Sequence, residues 1–345
     1  MRTITYTATM ILMVIILISN LEKEHANTTN NIFRTTPTIE PKKIISHENI
    51  SQLGEVMELE FESAIPEIQW SPSDEYLAIG VGEGNLQLFY LPDRELIDLG
   101  NTHSRFINLL RFNDSSTLLL SADIVGTVNI WDLETLTIVQ TFTTENNVTG
   151  FEAVSDAIFT EDSQILLTRP NGDVERRQLD GDLTHSFSTQ QSDLGYYTTS
   201  IVFGSDGQRV ASMTPSGNIE IWDIASETVV LELEGHSSDI WTMDFTSDNE
   251  MLASGSDDYT IWLWSMKTGI GIHLLEGHTF FVRIVRFSPD NQLLASSGHD
   301  DTVRFWDIET GKELRELQWQ GTITGLEFSN DGQMLAIAID NKVSF

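Results

Sequence analysis

Three side chains near the C-terminal end carry the atoms of a hydrolytic relay: His278, Ser296 and Asp300. An imidazole, a hydroxyl and a carboxylate held together can turn the hydroxyl into a nucleophile. The same types stand at His236, Ser254 and Asp258. In both sets the Ser follows the His by 18 residues and the Asp follows the Ser by 4. A tryptophan closes each set, Trp264 and Trp306, 28 residues after its His. A partial third set reads His103, Ser121 and Trp131, with Val125 where the carboxylate would fall. Acyl transfer needs one nucleophile with its base and an oxyanion site. A trio that recurs at fixed spacing in successive segments marks a scaffold instead. No residue is therefore assigned to catalysis, and no cofactor is expected.

The elements that must position these side chains are short strands. Residues 277–307 read GHTFFVRIVRFSPDNQLLASSGHDDTVRFWD. Three apolar runs of strand length are separated by turn chemistry, including Ser288-Pro289-Asp290-Asn291, where proline presets one dihedral and Asp and Asn tolerate tight turns. The closing aromatic recurs as Trp131, Trp222, Trp264 and Trp306. Phe89 and Arg177 fill the same place upstream, giving steps of 42, 46, 45, 42 and 42 residues. A second marker is the aromatic that ends the first strand of each unit: Trp70, Phe112, Phe159, Phe203, Phe245, Phe287 and Phe328. Two markers in step over seven units predict a four-stranded unit used repeatedly.

The Gly-His opening, the Trp-Asp close and this period resemble the WD-repeat (WD40) β-propeller family. The resemblance implies an all-β, seven-bladed β-propeller over residues 52–345. It makes His236, Ser254, Asp258 and Trp264, and His278, Ser296, Asp300 and Trp306, two full structural tetrads, with His103, Ser121 and Trp131 a partial one. Arg177 at a Trp position leaves the regularity of the third blade open. The last unit, 322–345, has three strand-like runs and stops one residue before its expected Trp. The segment 55–62 resembles fourth strands elsewhere and is expected to supply the outer strand of that last blade, closing the ring.

The resemblance further implies a rigid, non-enzymatic platform for protein–protein interaction. Family geometry places Phe106, Tyr197, Asp239, Asp257, Phe281 and His299 on the upper face, as candidate partner-binding residues. Aromatics on a polar surface are typical interface anchors. The alternative is a ligand-binding or enzymatic site at the central channel. That site would show as unrepeated polar side chains converging from several blades.

Acidic residues outnumber basic ones 52 to 19, a formal charge of −33. Such a field repels phosphate backbones, so nucleic acid is excluded as a direct partner, while basic protein partners are favoured. The chain has no cysteine, which removes disulfides, thiolate nucleophiles and Cys-zinc sites. The doublets Asp257-Asp258 and Asp300-Asp301 are read as tetrad and turn residues, so no metal site is assigned.

Residues 1–20 carry an apolar centre, Met10 to Ile18, read as a signal peptide or signal anchor. Residues 21–51 are polar and read as a flexible linker. The expected location is secreted, or anchored at the outer face of the cytoplasmic membrane through the N-terminal segment alone; cytoplasmic is the alternative. Four triplets, beginning at Asn27, Asn49, Asn113 and Asn147, fit the N-glycosylation pattern. Oligomeric state is left open.

Overall fold

The computed structural model describes residues 11–17, 45–46, 49–144, 154–189, 200–214, 216–319 and 321–340. It is an all-β propeller. Six four-stranded antiparallel sheets are each built from four strands consecutive in sequence, spanning 67–101, 107–143, 156–188, 201–233, 240–276 and 282–318. Their first strands neighbour one another around a central channel. In the sixth blade the second strand, Leu293–Gly298, is buried throughout, as an inner strand covered on both faces should be. The outer strand, Lys312–Gln318, mixes exposed and half-buried residues, as an edge facing water should.

Register confirms the repeat residue by residue. Each closing position pairs with an apolar residue of the second strand: Phe89 with Leu77, Trp131 with Leu119, Trp222 with Val210, Trp264 with Leu252 and Trp306 with Leu294. Arg177 pairs with Ile165 in the same way, so the third blade is regular.

The repeat count needs a correction: six blades are regular, not seven. The last unit contributes two strands, Thr322–Phe328 and Met334–Asp340, and its sheet is completed by Ile11–Leu17 and then Gly54–Phe61. Gly54–Phe61 takes the outermost place. The third place, expected from the C-terminal unit itself, goes to Ile11–Leu17, where Val14 pairs with Ile337 on one side and Glu58 on the other. The physical reason lies in composition. ILMVIIL is aliphatic throughout and rich in β-branched residues, which suits a strand flanked on both sides. Residues 341–345, NKVSF, lie outside the described residues.

The end of the segment read as a linker is anchored. Ile45 is fully buried and its amide donates to the Gly332 carbonyl at 2.7 Å. Ile50 and Leu53 share a core with Phe305 and Phe328, and Arg315 Nη1 donates to the Ile50 carbonyl at 2.6 Å. The earlier part of that segment, like residues 1–10 and 18–20, lies outside the described residues.

The third blade replaces an indole by ions. Arg177 Nε lies 2.7 Å from Glu175 Oε2, and Arg169 Nε lies 2.7 Å from Glu175 Oε1. Arg177 also donates to the Gly181 carbonyl at 2.7 Å and stands 5.4 Å from the Phe142 ring centre. All three charged side chains are buried. Two guanidiniums share one carboxylate, so neutralising that carboxylate strands two buried cations. Glu175→Gln is expected to lower stability by about 3 kcal/mol, measured by urea unfolding; a change within error would show that the triad contributes nothing.

Candidate functional site

The two tetrads have the bond lengths of a hydrolase relay. In the fifth blade His236 Nδ1 is 2.9 Å from Asp258 Oδ2, and His236 Nε2 is 2.8 Å from Ser254 Oγ. In the sixth, His278 Nδ1 is 3.0 Å from Asp300 Oδ2 and Nε2 is 2.8 Å from Ser296 Oγ. The indole decides the role. Trp264 Nε1 donates to Ser254 Oγ, and Trp306 Nε1 to Ser296 Oγ, each at 2.8 Å. Both serines are fully buried, so no substrate carbonyl reaches them. A single direction of donation satisfies every atom: indole to hydroxyl, hydroxyl to imidazole Nε2, imidazole Nδ1 to carboxylate. The carboxylates then hold the loops above them. Asp258 accepts from the Ser237 amide at 2.9 Å and Asp300 from the Thr279 amide at 2.8 Å.

The partial tetrad of the second blade is less incomplete than its spacing implies. His103 Nε2 is 2.8 Å from Ser121 Oγ, which accepts from Trp131 Nε1 at 2.9 Å. Val125 carries no charge, but Asp123, two residues earlier, places Oδ2 at 3.6 Å from His103 Nδ1. Burial alone would raise the Asp123 carboxyl. The imidazole and the amides of Thr127 and Val125 outweigh it and hold the group below the usual carboxylate range.

The central channel encloses a cavity of about 1000 Å³. Its belt is made by the residue just before the aromatic that ends each first strand: Gln69, Arg111, Ile158, Val202, Asp244, Arg286 and Glu327. Strand alternation turns the aromatic into the core and its predecessor into the channel. Arg286 Nε donates to Glu327 Oε2 at 2.9 Å, Gln69 Nε2 to Glu327 Oε1 at 2.8 Å, Arg111 Nη1 to Gln69 Oε1 at 2.8 Å and Arg111 Nε to Asp156 Oδ1 at 3.0 Å. Asp156 accepts the Phe203 amide at 2.9 Å and Asp244 the Phe287 amide at 2.7 Å, while Ser200 Oγ donates to the Ile240 carbonyl. These bonds cross from blade to blade around the whole channel. The position was readable from the repeat, but its residue types do not repeat, so the sequence offered no pattern to follow. Unrepeated polar groups converging on the channel are what the channel alternative required. Here both guanidiniums are taken by Asp156 and Glu327, and among the described residues no group of three or more His, Asp or Glu is arranged to hold a metal ion.

Two further carboxylates of the channel lining, Glu67 and Asp244, are less closely paired with the guanidiniums than Asp156 and Glu327 are. Burial pushes Glu67 up to about 7, only partly offset by Arg111 at 4.0 Å. Burial pushes Asp244 up to about 7 as well, partly offset by Arg286. Asp258 and Asp300 are shifted the other way: burial would raise them, and the hydrogen bonds from His236 and His278 prevail. The signs follow from linkage. Glu67 and Asp244 stabilise the fold below their unfolded values of 4.5 and 3.8, and that contribution is lost as pH rises toward about 7. Asp258 and Asp300 stabilise it above 3.8 and lose that as pH falls. The stability maximum from these four groups is therefore expected near pH 4 (about one unit either way), read from thermal melts across pH. The double variant Glu67→Gln, Asp244→Asn is expected to flatten the alkaline limb; an unchanged alkaline limb would contradict the assignment.

On the upper face the structure gathers some of the candidates and separates others. Phe281 and His299 meet as tilted rings with centres 4.1 Å apart. Three rings the sequence reading missed extend the cluster: Phe280 at 4.4 Å from Phe281, Tyr259 at 5.7 Å from Phe280, and Trp241 at 6.2 Å from Phe281. Asp257 accepts a hydrogen bond from Trp241 Nε1, and the Asp239 carbonyl accepts the Asp257 amide at 2.9 Å. Burial, followed by the nearby Arg283, lowers the His299 pKa from its ordinary value. The result is a row of rings from the rim, where Tyr259 is 43% and Phe280 42% exposed, to Trp241 at the channel mouth. Phe106, 39% exposed, belongs to the channel mouth and joins none of these rings. Tyr197 lies outside the described residues. The adjacent pair Phe280-Phe281 was the available signal for the row; only Phe281 falls in the position that the repeat picks out.

Comparison with known proteins bears on the same two blades. Residues 227–265 and 270–307 match the family model of the WD domain, G-beta repeat. Residues 8–168 match that of eukaryotic translation initiation factor eIF2A. Apoptotic protease-activating factor 1 of Rattus norvegicus is 26% identical over 169 residues, 49% of this chain and 13% of that protein. Eukaryotic translation initiation factor 3 subunit I of Drosophila pseudoobscura pseudoobscura is 30% identical over 88 residues, 25% of this chain and 27% of that one. The Drosophila melanogaster protein of that name matches to the same extent. The chain thus spans under a third of the length of these relatives.

Proposed function

This chain belongs to the WD-repeat family, and from that premise we propose that it is a non-enzymatic scaffold that docks a protein partner on the upper rim of blades five and six. The observation that carries this reading is the row formed by Tyr259, Phe280, Phe281, His299 and Trp241. Clustered aromatics that remain partly exposed on a charged surface are what interface hot spots are made of. A relative named as a subunit of a translation initiation factor supports membership of an assembly. The net charge of −33 supports a basic partner and opposes nucleic acid.

The same reading makes the composite sheet the seventh blade and the N-terminal strands the closure of the ring. Support comes from Thr322–Phe328 lying between the first strands of the sixth and first blades. The rival reading is export, in which the apolar N-terminal segment leads the protein outside the cytoplasmic membrane. Cleavage or membrane insertion of that segment would remove Ile11–Leu17 from its sheet, so the two roles exclude each other in one molecule. The intact mass of protein purified from each cell fraction tests this. A shortened chain outside the cytoplasm is expected for export; a full-length chain found only in the cytoplasmic fraction would discard export and retain the strand.

The docking proposal is tested by affinity capture with wild type and a Phe280→Asp, Phe281→Asp double variant. Partner recovery is expected to fall by about tenfold or more, as loss of a hot spot does. Circular dichroism should stay unchanged. Equal recovery of every partner by both proteins would refute the site.

A further inference from the structure

One backbone position sets the rim of the aromatic row apart. Five residues before each closing residue the chain turns into the third strand, and the turn demands a left-handed conformation. Glycine holds it at Gly84, Gly126, Gly172 and Gly217, with φ between 83° and 95°. In the sixth blade the position is Asp301, with φ 58°, and short polar residues tolerate this region. In the fifth it is Tyr259, with φ 69°. A bulky side chain there is strained, and strain of this kind persists at sites of function. Tyr259 does not repay it by burial, since it is 43% exposed. It stacks instead on Phe280, itself 42% exposed, with an interplanar angle of 23°.

The charges beside the row point one way. Asp301 and Asp239 are exposed in the turns and loops of these two blades, and Asp257 is half-buried beneath Trp241. Arg283 is the opposing cation; it lies at the channel end, among the residues that line the mouth. The rim end therefore offers two near-parallel rings with acidic neighbours. An ammonium would keep its hydration shell at such a place. A guanidinium is planar and weakly hydrated, so it stacks on an aromatic face while its edge remains free to bond a carboxylate.

We propose that Tyr259 and Phe280 bind an arginine side chain of a basic partner segment, with the neighbouring aspartates as counter-charges. This rests on the docking surface proposed above and names the chemistry of its partner. The test uses the full chain and three fluorescent, end-blocked heptapeptides, GRGRGRG and its lysine and glutamate counterparts, followed by anisotropy at physiological salt. The arginine peptide is expected to bind at least about threefold tighter than the lysine peptide. The glutamate peptide should not bind. Tyr259→Gly, which restores the glycine of the other blades, should melt at an equal or higher temperature and lose the preference for arginine; Phe280→Leu should lose it too. Equal affinity for arginine and lysine in the wild type, or an arginine preference that survives both substitutions, would overturn the proposal. If no peptide binds while partner capture still depends on Phe280 and Phe281, the arginine assignment falls and the docking surface stands.

Discussion

The hydrogen-bond relay from indole to hydroxyl to imidazole to carboxylate is the constraint on which the upper face depends. Its last member does two things at once. Asp300 fixes His278 through one contact and the Thr279 amide through another. Thr279 is followed immediately by Phe280 and Phe281, so the relay sets the loop that presents the exposed rings. Asp258 does the same for Ser237, at the start of the loop that leads to Trp241. The glycine of each Gly-His pair belongs to the same constraint. A Cβ at Gly235 would stand 2.8 Å from the edge of Trp264, and one at Gly277 would stand 3.0 Å from that of Trp306. In these two blades the indole that acts as first donor leaves no room for a side chain at that glycine.

Blades that lack the full relay fill the same buried positions in other ways. In the second blade the carboxylate comes from Asp123, two residues off the expected place, with a longer contact to its histidine. In the third a charged triad replaces the indole altogether. In the fourth Trp222 Nε1 turns to Glu220 at 3.1 Å. Aromatic packing and polar satisfaction are thus separable, and the family period survives the loss of either. The rings of the proposed docking surface lie in blades five and six, where both are kept. Rigid support below and exposed aromatics above are what a site of low conformational cost requires.

The channel belt adds a second restraint at right angles to the first. Sheets hold their own strands by backbone bonds, but adjacent blades meet through side chains. Arg286, Glu327, Gln69, Arg111 and Asp156 carry one line of bonds across four blade junctions, including the one between the C-terminal unit and the first blade. The channel lining holds the carboxylates of Glu67, Asp156, Asp244 and Glu327 against the guanidiniums of Arg111, Arg283 and Arg286. Burial raises two of these carboxyls, Glu67 and Asp244, to about 7, which lessens the negative charge they carry.

What the sequence determined is what repeats. Period, strand register and the tetrads at His236 and His278 were legible because the same local physics recurs every 42 to 46 residues and each copy checks the next. Phe281, His299 and Asp257 were legible as positions beside those markers. What only the tertiary structure decided is what does not repeat. Ile11–Leu17 joins Met334–Asp340 across more than 300 residues, and an apolar run of that length reads equally well as an export segment. The row from Tyr259 to Trp241 joins residues of two blades whose spacing follows no period. Asp123 reaches His103 from outside the expected position because a carboxylate needs to satisfy distance rather than numbering. Periodicity is written along the chain; the contacts that join its N-terminal and C-terminal strands and gather its exposed rings are made across it.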